Sequence, residues 1–533
     1  MSLSVSNSLP VSNYSVKVIS EANGSIFNPQ TNSRIRLTIP SSVGMVDMKS
    51  SYLQFKFRVV PPAISVSATP ADRRDCYDMR LSNEQGIEQI FKNLRVSIDN
   101  KPVEEIQNYN VLHKFKKDYS EDNAQKSLDS IFDKAIQKND GAGYYCRVLN
   151  NATPEASYNE PTKHIAKLGC SGVLSLNVGL PVLATGKVDI ELELEDSAKV
   201  LSHPYATRNI ACRGTTSGAG LLSTLTIDPT DFTTRYDRHG YSNVNSTTPD
   251  SNPFAVGNTI GFSGTLAGGA NVPATRRLIT GSTIAGGLIT LTFANTGDLG
   301  ENTSLFTGAL NADMYIDENG TGRTGRHTYE VSEVEYVVRS IDMPPPYLNS
   351  LQKRIQQNAF MMDIPTYTSY LGTLQANIPR QSINVPAFSS RVKSVLTIPL
   401  ASAQTDYAFN RSGQLDGIRN YQAQIGTRRE PNRAVDMTNT TATTHQYASQ
   451  EHLHELKKLL TANGIGLRSL KKHTNNFVLC RSLSAMGGSE DLSAKGYRWD
   501  IEYTANPVAK NMFSFVYHTK RIEITPSGLA IMD

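Results

Sequence analysis

The stretch that decides the fold is NMFSFVYHTKRIEITPSGLAIMD, Asn511 to Asp533. Phe513, Phe515 and Tyr517 share one parity, and Ile522 and Ile524 share the other. A period of two belongs to a β-strand, whose successive side chains point to opposite faces. The change of parity predicts two short strand pieces with a kink or turn near His518–Lys520. A chain that closes on such a pattern is expected to close a β-sandwich, so that trimming the last residues opens a sheet edge.

The same period recurs upstream. In SSYLQFKFRVV, Leu53, Phe55, Phe57 and Val59 alternate with Tyr52, Gln54, Lys56 and Arg58. In NLRVSID, Leu94, Val96 and Ile98 form the apolar side, and Asp99–Pro102 supplies a turn. GVLSLNV (Leu174, Leu176, Val178) reads as a strand. KVDIELELED sets Val188, Ile190, Leu192 and Leu194 against Asp189, Glu191, Glu193 and Glu195, a half-buried strand with an acidic outside.

Two helical patterns interrupt the strands. In DNAQKSLDSIFDKAI, Leu128, Ile131, Phe132 and Ala135 fall on one helical face. In SQEHLHELKKLLTANG, Leu453, Leu456 and Leu460 do the same, and Asn463-Gly464 is a stop. Each half of the chain therefore runs from early strands through a helix to late strands, the second half with AFMMDI, INV, RVKSVLTIPL, FVLCRSLS and YRWDIEY. Trp499 alternates with Arg498 and Asp500, which predicts a core position.

The 533 residues suffice for two to about four domains. Hydrophobic content of 39% and charged content of 19% leave room for Thr, Ser, Asn and Gly, a β-rich composition. Residues 1–30 are Ser/Asn-rich and read as an arm. Residues 203–327 are rich in Gly, Thr, Ser and Asn with short strand pieces, a β-rich insertion rather than a linker. Pro344-Pro345-Pro346 is expected to block both pairing and helix and to mark the domain boundary. The division is thus 1–30, 31–350 including 203–327, and 351–533.

A net charge of +4 over this length does not mark a nucleic-acid binder. The basic clusters His113–Asp118, Arg468–His473 and Thr427–Arg433 read as solvated faces. Cys76, Cys146, Cys170, Cys212 and Cys480 are odd in number and widely spaced, so neither a disulfide scaffold nor a zinc ribbon is expected. MSLSVSNSLPVSNYSV has neither the basic nor the apolar region of a signal peptide, no apolar run reaches a membrane span, and a reducing compartment is expected.

Chemical motifs are weak. Gly320–Gly325 fits GxGxxG, but the sequel HTYEVSEVEYVV is strand, where a dinucleotide site needs a helix. His452-x-His454-Glu455 lacks the second His that a zinc protease places four residues on, and both histidines are expected to face solvent. The Asp189–Glu195 run reads as a wet face, although a glycosidase could pair carboxylates from distant strands. No catalytic, cofactor-binding or metal residue is assigned, and no cofactor is expected.

Four stretches carry a resemblance: IPSSVGMVDMKSSYLQFKFRV (Ile39–Val59), GLPVLATGKVDIELELED (Gly179–Asp196), YEVSEVEYVVRSIDMPPPYLNSLQ (Tyr329–Gln352) and FVYHTKRIEITPSGLAIMD (Phe515–Asp533). With the doubled strand–helix–strand layout they resemble the double jelly-roll major capsid proteins of adenovirus-like, virophage and polinton-like viruses. The resemblance implies an all-β chain of two consecutive jelly-roll sandwiches with short helices in loops. It implies a homotrimer of pseudo-hexameric outline that tiles an icosahedral shell around double-stranded DNA, with 203–327 as an outer tower and the arm near the inner face or bridging to neighbours. The implied partners are the chain itself, neighbouring capsomers, and penton and minor capsid proteins. Sequence-specific nucleic-acid binding, a transmembrane segment and enzymatic activity are not implied. The implied location is the virion, after synthesis in the host cytoplasm or nucleus. The rival readings are a carbohydrate-binding or carbohydrate-active β-sandwich and a single-jelly-roll vertex protein.

Overall fold

A computed structural model describes residues 13–60, 86–120, 161–202, 328–357, 360–402, 417–437, 449–465, 477–484, 487–503, 507–525 and 528–532, the strands within 203–327, and the short pieces 63–64, 80–81 and 413. The expected helix at 122–136, the cluster at 468–473 and most of Gly320–Gly325 fall outside them.

The first half supplies strands β1 (Asn13–Ser20), β2 (Arg34–Ile39), β3 (Met45–Val60), β4 (Phe91–Ile98), β5 (Lys101–Gln107), β6 (Thr162–Ala166) and β7 (Val188–Leu194). After the insertion strands β8 (Ile210–Ser217), β9 (Thr224–Ile227), β10 (Thr259–Leu266), β11 (Arg276–Ala285), β12 (Leu288–Phe293) and β13 (Ala309–Asp317), it ends with β14 (Thr328–Asp342). One sheet has the order β1-β14-β3-β6 and the other β2-β7-β4-β5. The second half supplies β15 (Phe360–Leu374), β16 (Arg380–Val385), β17 (Val392–Ala401), β18 (Ile418–Ile425), β19 (Arg428–Asp436), β20 (Leu479–Ser482), β21 (Tyr497–Tyr503), β22 (Lys510–Thr525) and β23 (Gly528–Met532). Its sheets are β15-β22-β17-β20 and β16-β21-β18-β19. Within each half the first sheet joins its first, eighth, third and sixth sandwich strands. The second sheet joins the second, seventh, fourth and fifth. That order is a jelly roll, and it occurs twice.

Burial follows the pleat. β7 alternates buried and half-buried side chains along its whole length, and β21 does the same with Trp499 fully buried. The Trp499 indole donates to Thr397 Oγ1 at 2.9 Å, which gives its one polar atom a partner in the core. Met512 and Val516 of β22 pack inside the second sandwich, while Phe515, on the opposite face, joins the cluster shared with the first half.

Four expectations are corrected. β22 is one unbroken strand, because both of its faces are covered and the parity change needs no kink. Residues 13–20, read as part of an arm, pair along β14 from Asn13↔Asp342 to Ser20↔Glu335. The triple proline starts a helix instead of blocking one: α2 (Pro345–Gln356) begins at Pro345, where a missing N–H costs nothing. GVLSLNV is a chain of turns, although Val173, Leu174 and Leu176 are buried. Its first N–H groups are taken by a carboxylate rather than by a neighbouring strand, as described below.

Helices α1 (Tyr109–Ser120) and α3 (Gln450–Ala462) occupy the same place in the two jelly rolls, between the fifth and sixth strands. α3 starts at Ser449, whose hydroxyl accepts from His452 N at 3.1 Å, and ends at Asn463 before Gly464 at φ +66°. The insertion closes into a barrel, β8-β9-β12-β11-β10-β13. It returns into β14 at Thr328, opposite Val60, whereas β1 begins beside the far end of β14. The first jelly roll therefore carries its insertion at one end and its first strand's start at the other.

The terminal strand β23 pairs with Arg521–Thr525 of β22, on the side that β17 leaves open beyond His518. The Leu529 carbonyl also accepts from Lys101 Nζ of the first half. Deleting 528–533 is expected to leave a bare edge on β22, lower the melting temperature by several degrees and raise light scattering on heating. An unchanged melt and scatter would mean that β23 adds no stability.

Candidate functional site

Of the buried polar groups among the described residues, Glu104 and Ser171 lie where the two jelly rolls meet, beside Pro365 and Thr366 of β15. One apolar cluster runs through that seam and includes Phe115 and Tyr119 of α1, Leu456 and Leu460 of α3, and Ile364 and Tyr367 of β15.

Glu88, in a 3-10 turn spanning Ile87–Ile90, is buried. Its carboxylate accepts from Tyr109 Oη at 2.6 Å, from the N–H groups of Lys167 and Leu168 at 2.9 and 3.1 Å, and pairs with His113 Nδ1 at 3.0 Å. Burial by itself would raise the Glu88 carboxyl. The charge and hydrogen bond of His113 outweigh it, helped by Tyr109 and Leu168, and hold it at about 2. Burial would lower His113, but the Glu88 charge prevails and lifts it to about 10. The two form a stable ion pair inside the fold.

Glu104 on β5 accepts from the Ser171 hydroxyl and from the N–H groups of Gly172 and Val173 at 2.7 and 3.2 Å. Burial raises its carboxyl despite those donors. Gly172 lies against the second half: a β-carbon placed there would stand 1.6 Å from the Pro365 carbonyl oxygen. Pro365 sits on the edge strand β15, where its missing N–H breaks no ladder.

The cluster His113–Asp118 is not a solvated face. It lies in α1, and Lys114 and Asp118 are 1% exposed and joined at 2.5 Å across one helical turn. Glu195, read with the wet face of β7, is buried and accepts from Asn110 Nδ2 at 2.9 Å. Asp189, Glu191 and Glu193 are half-buried and pair with Lys187, with Arg34 and Arg36, and with Lys92. Arg428, Arg429 and Arg433 of the Thr427–Arg433 cluster are exposed.

The histidines of α3 part company. Residues two apart on a helix lie about 200° from one another. His452 turns inward with Leu456 and Leu459, so the expectation of solvent exposure fails for it, and His454 points out. His452 Nδ1 is 2.9 Å from Tyr421 Oη and 3.9 Å from Cys480 Sγ. Burial pushes the Cys480 thiol up to about 12, so it is no thiolate nucleophile at neutral pH. Among the described residues no group of three His, Cys, Asp or Glu is placed to hold a metal, and no helix is long and apolar enough to cross a membrane. Arg323 and Thr324, inside the GxGxxG match, pair with Ala63 and Ile64 as a short ladder, and the strand β14 follows.

No protein-family model matches the chain, and no curated protein does. Among solved structures it is similar to a chain of the PBCV-1 virus capsid, with 8% identity and a TM-score of 0.47 over 97% of this chain and 96% of that one. It is also similar to the Faustovirus major capsid protein, with 9% identity and a TM-score of 0.48 over 98% and 93%. For the mavirus major capsid protein the values are 9% and 0.36 over 97% and 89%. At such identities the fold assignment rests on this chain's own strand order, repeated in both halves.

Proposed function

We propose that this protein is a viral major capsid protein and serves as a structural block rather than a catalyst. The observation that carries the reading is the doubled jelly roll joined across a continuous apolar seam. Two sandwiches locked in this way form one stiff body, with a closed barrel carried at one end of the first. The solved structures reported above bear capsid names, and the reading rests on the strand order and the seam of this chain. In it, 31–350 is the first jelly roll, 203–327 its outer tower and 351–533 the second. Three chains, with two jelly rolls each, give the pseudo-hexameric outline that tiles an icosahedral shell around double-stranded DNA. Penton and minor capsid proteins then fill the remaining positions.

The sugar-binding alternative wants an exposed aromatic platform. The chain has one tryptophan, and it is fully buried.

Native mass decides the matter. A chain of 58.4 kDa predicts a trimer near 175 kDa, 3 × 58.4, or larger closed shells. A 58.4 kDa species that persists across salt and concentration would overturn the capsomer reading.

A further inference from the structure

On the flank of the second jelly roll, α3, β19 and the loop after β20 enclose a cleft of about 880 Å³. Its walls carry Lys393, Arg428, His454, Lys457, Lys458 and Arg481. The carboxylates there are already shared. Glu430 holds Arg428 and Arg481, each at 2.8 Å. Glu455 holds Arg481 at 2.9 Å and Lys458 at 2.8 Å. Glu490 holds Arg428 at 3.4 Å and Lys495 at 2.8 Å. The cleft wall itself carries five cations, Lys393, Arg428, Lys457, Lys458 and Arg481, against the two carboxylates Glu430 and Glu490. Behind it Glu455 and Lys495 pair with wall residues, and Asp363 acts on Lys393 from outside the cleft. Among the described residues Lys393 and Lys457 form no ion pair with a carboxylate. Lys393 lies over the Tyr517 ring, 5.8 Å from its centre. The buried Arg481 Nε also lacks an acceptor among the described residues. Ser482 and Ser484 add hydroxyls to the lining.

A cleft with donors to spare and its acceptors spoken for fits a ligand that only accepts. Both arginine forks, the natural match for a planar carboxylate, are engaged. What remains are lysine point charges, an imidazole and hydroxyls, which suit the several oxygens of a tetrahedral phosphate. The volume exceeds what one phosphate fills, and it lies in the range of ligand pockets. We propose that this cleft binds a chain of phosphates, through charge and without reading bases. The source is either a nucleic-acid backbone or a free polyphosphate. The inference stands apart from the capsid reading, because it rests on the cleft's own charges.

The test uses the full chain at about 50 mM salt, where phosphate contacts are strong. Calorimetry with inorganic tripolyphosphate is run beside anisotropy with a labelled oligothymidylate. The double variant Lys393→Gln/Lys457→Gln should bind at least tenfold more weakly and melt like the parent, since neither lysine is held in an ion pair. Its log-affinity against log-salt slope for the oligonucleotide should flatten by about 1.4, which is ~0.7 for each lysine removed. Lys353→Gln on α2 should change nothing. Binding of tripolyphosphate alone assigns a free polyphosphate, and binding of the oligonucleotide with a steep salt slope assigns a backbone. The proposal falls if the parent binds neither probe, if the double variant binds as the parent does, or if oligoglutamate binds as tightly as the phosphates.

Discussion

Gly172→Ala is expected to separate the two jelly rolls from their fitted seam and to cost more stability than any other single methyl added among the described glycines of the first half. The new carbon would stand 1.6 Å from the Pro365 carbonyl oxygen and 2.7 Å from its carbonyl carbon. Both are backbone atoms, so no rotamer change makes room. The Glu104 carboxylate, 3.0 Å from the new carbon, holds the Gly172 N–H in place. Overpacking of a core costs roughly 1–3 kcal/mol where side chains can yield. Here the turn at Gly172 and the strand β15 must part, and the expected result is a loss of stability well beyond that range, read as a fall in melting temperature, or failure to recover soluble protein. Gly169→Ala is the control, because nothing lies within 4 Å of its new carbon. Equal melting curves for the two variants would show that the seam adjusts freely.

The second large effect is expected at the buried pair Glu88–His113. Removing one member of a buried ion pair costs about 3–5 kcal/mol, because the other charge is left without its partner. Glu88→Leu should cost more than His113→Phe. The carboxylate also satisfies the Tyr109 hydroxyl and two backbone N–H groups, whereas His113→Phe leaves those three donors to stabilise Glu88. The pair also sets a pH dependence. His113 is raised from 6.5 to about 10, so its contribution is complete below 6.5 and fades as pH rises through 10. Glu88 is lowered from 4.5 to about 2, so its contribution is complete above 4.5 and fades as pH falls through 2. Denaturant unfolding across this range should show the gap between parent and His113→Phe widest between 4.5 and 6.5 and narrowing towards pH 10. A gap independent of pH would mean that His113 acts through packing and not through charge.

Alternation made most of the sandwich strands legible in the sequence. Val188 to Leu194 alternate without a break in β7, and Tyr497 to Tyr503 do the same in β21. α1 escaped because its interior is charged. Lys114 and Asp118 neutralise each other within one turn, so a buried helix reads as a basic surface. The i, i+4 pairs Lys114/Asp118 and Phe115/Tyr119 were the available signal. His452 escaped for a similar reason, since the groups that receive it, such as the Tyr421 hydroxyl 31 residues away and Cys480, are distant in the sequence. The seam itself could not be read locally. Glu104, Gly172 and Pro365 meet only after the strand order is set, and no short-range pattern announces contacts between such distant positions.

The barrel between β7 and β14 closes its own hydrogen-bond circuit, from β8 round to β13 and back. Its strand pairing is its own, although Leu291 of β12 is buried in the apolar cluster of the sandwiches. The six strands thus behave as one cartridge, whose pairing can be exchanged as a unit while the strand order of the two sandwiches stays unaltered.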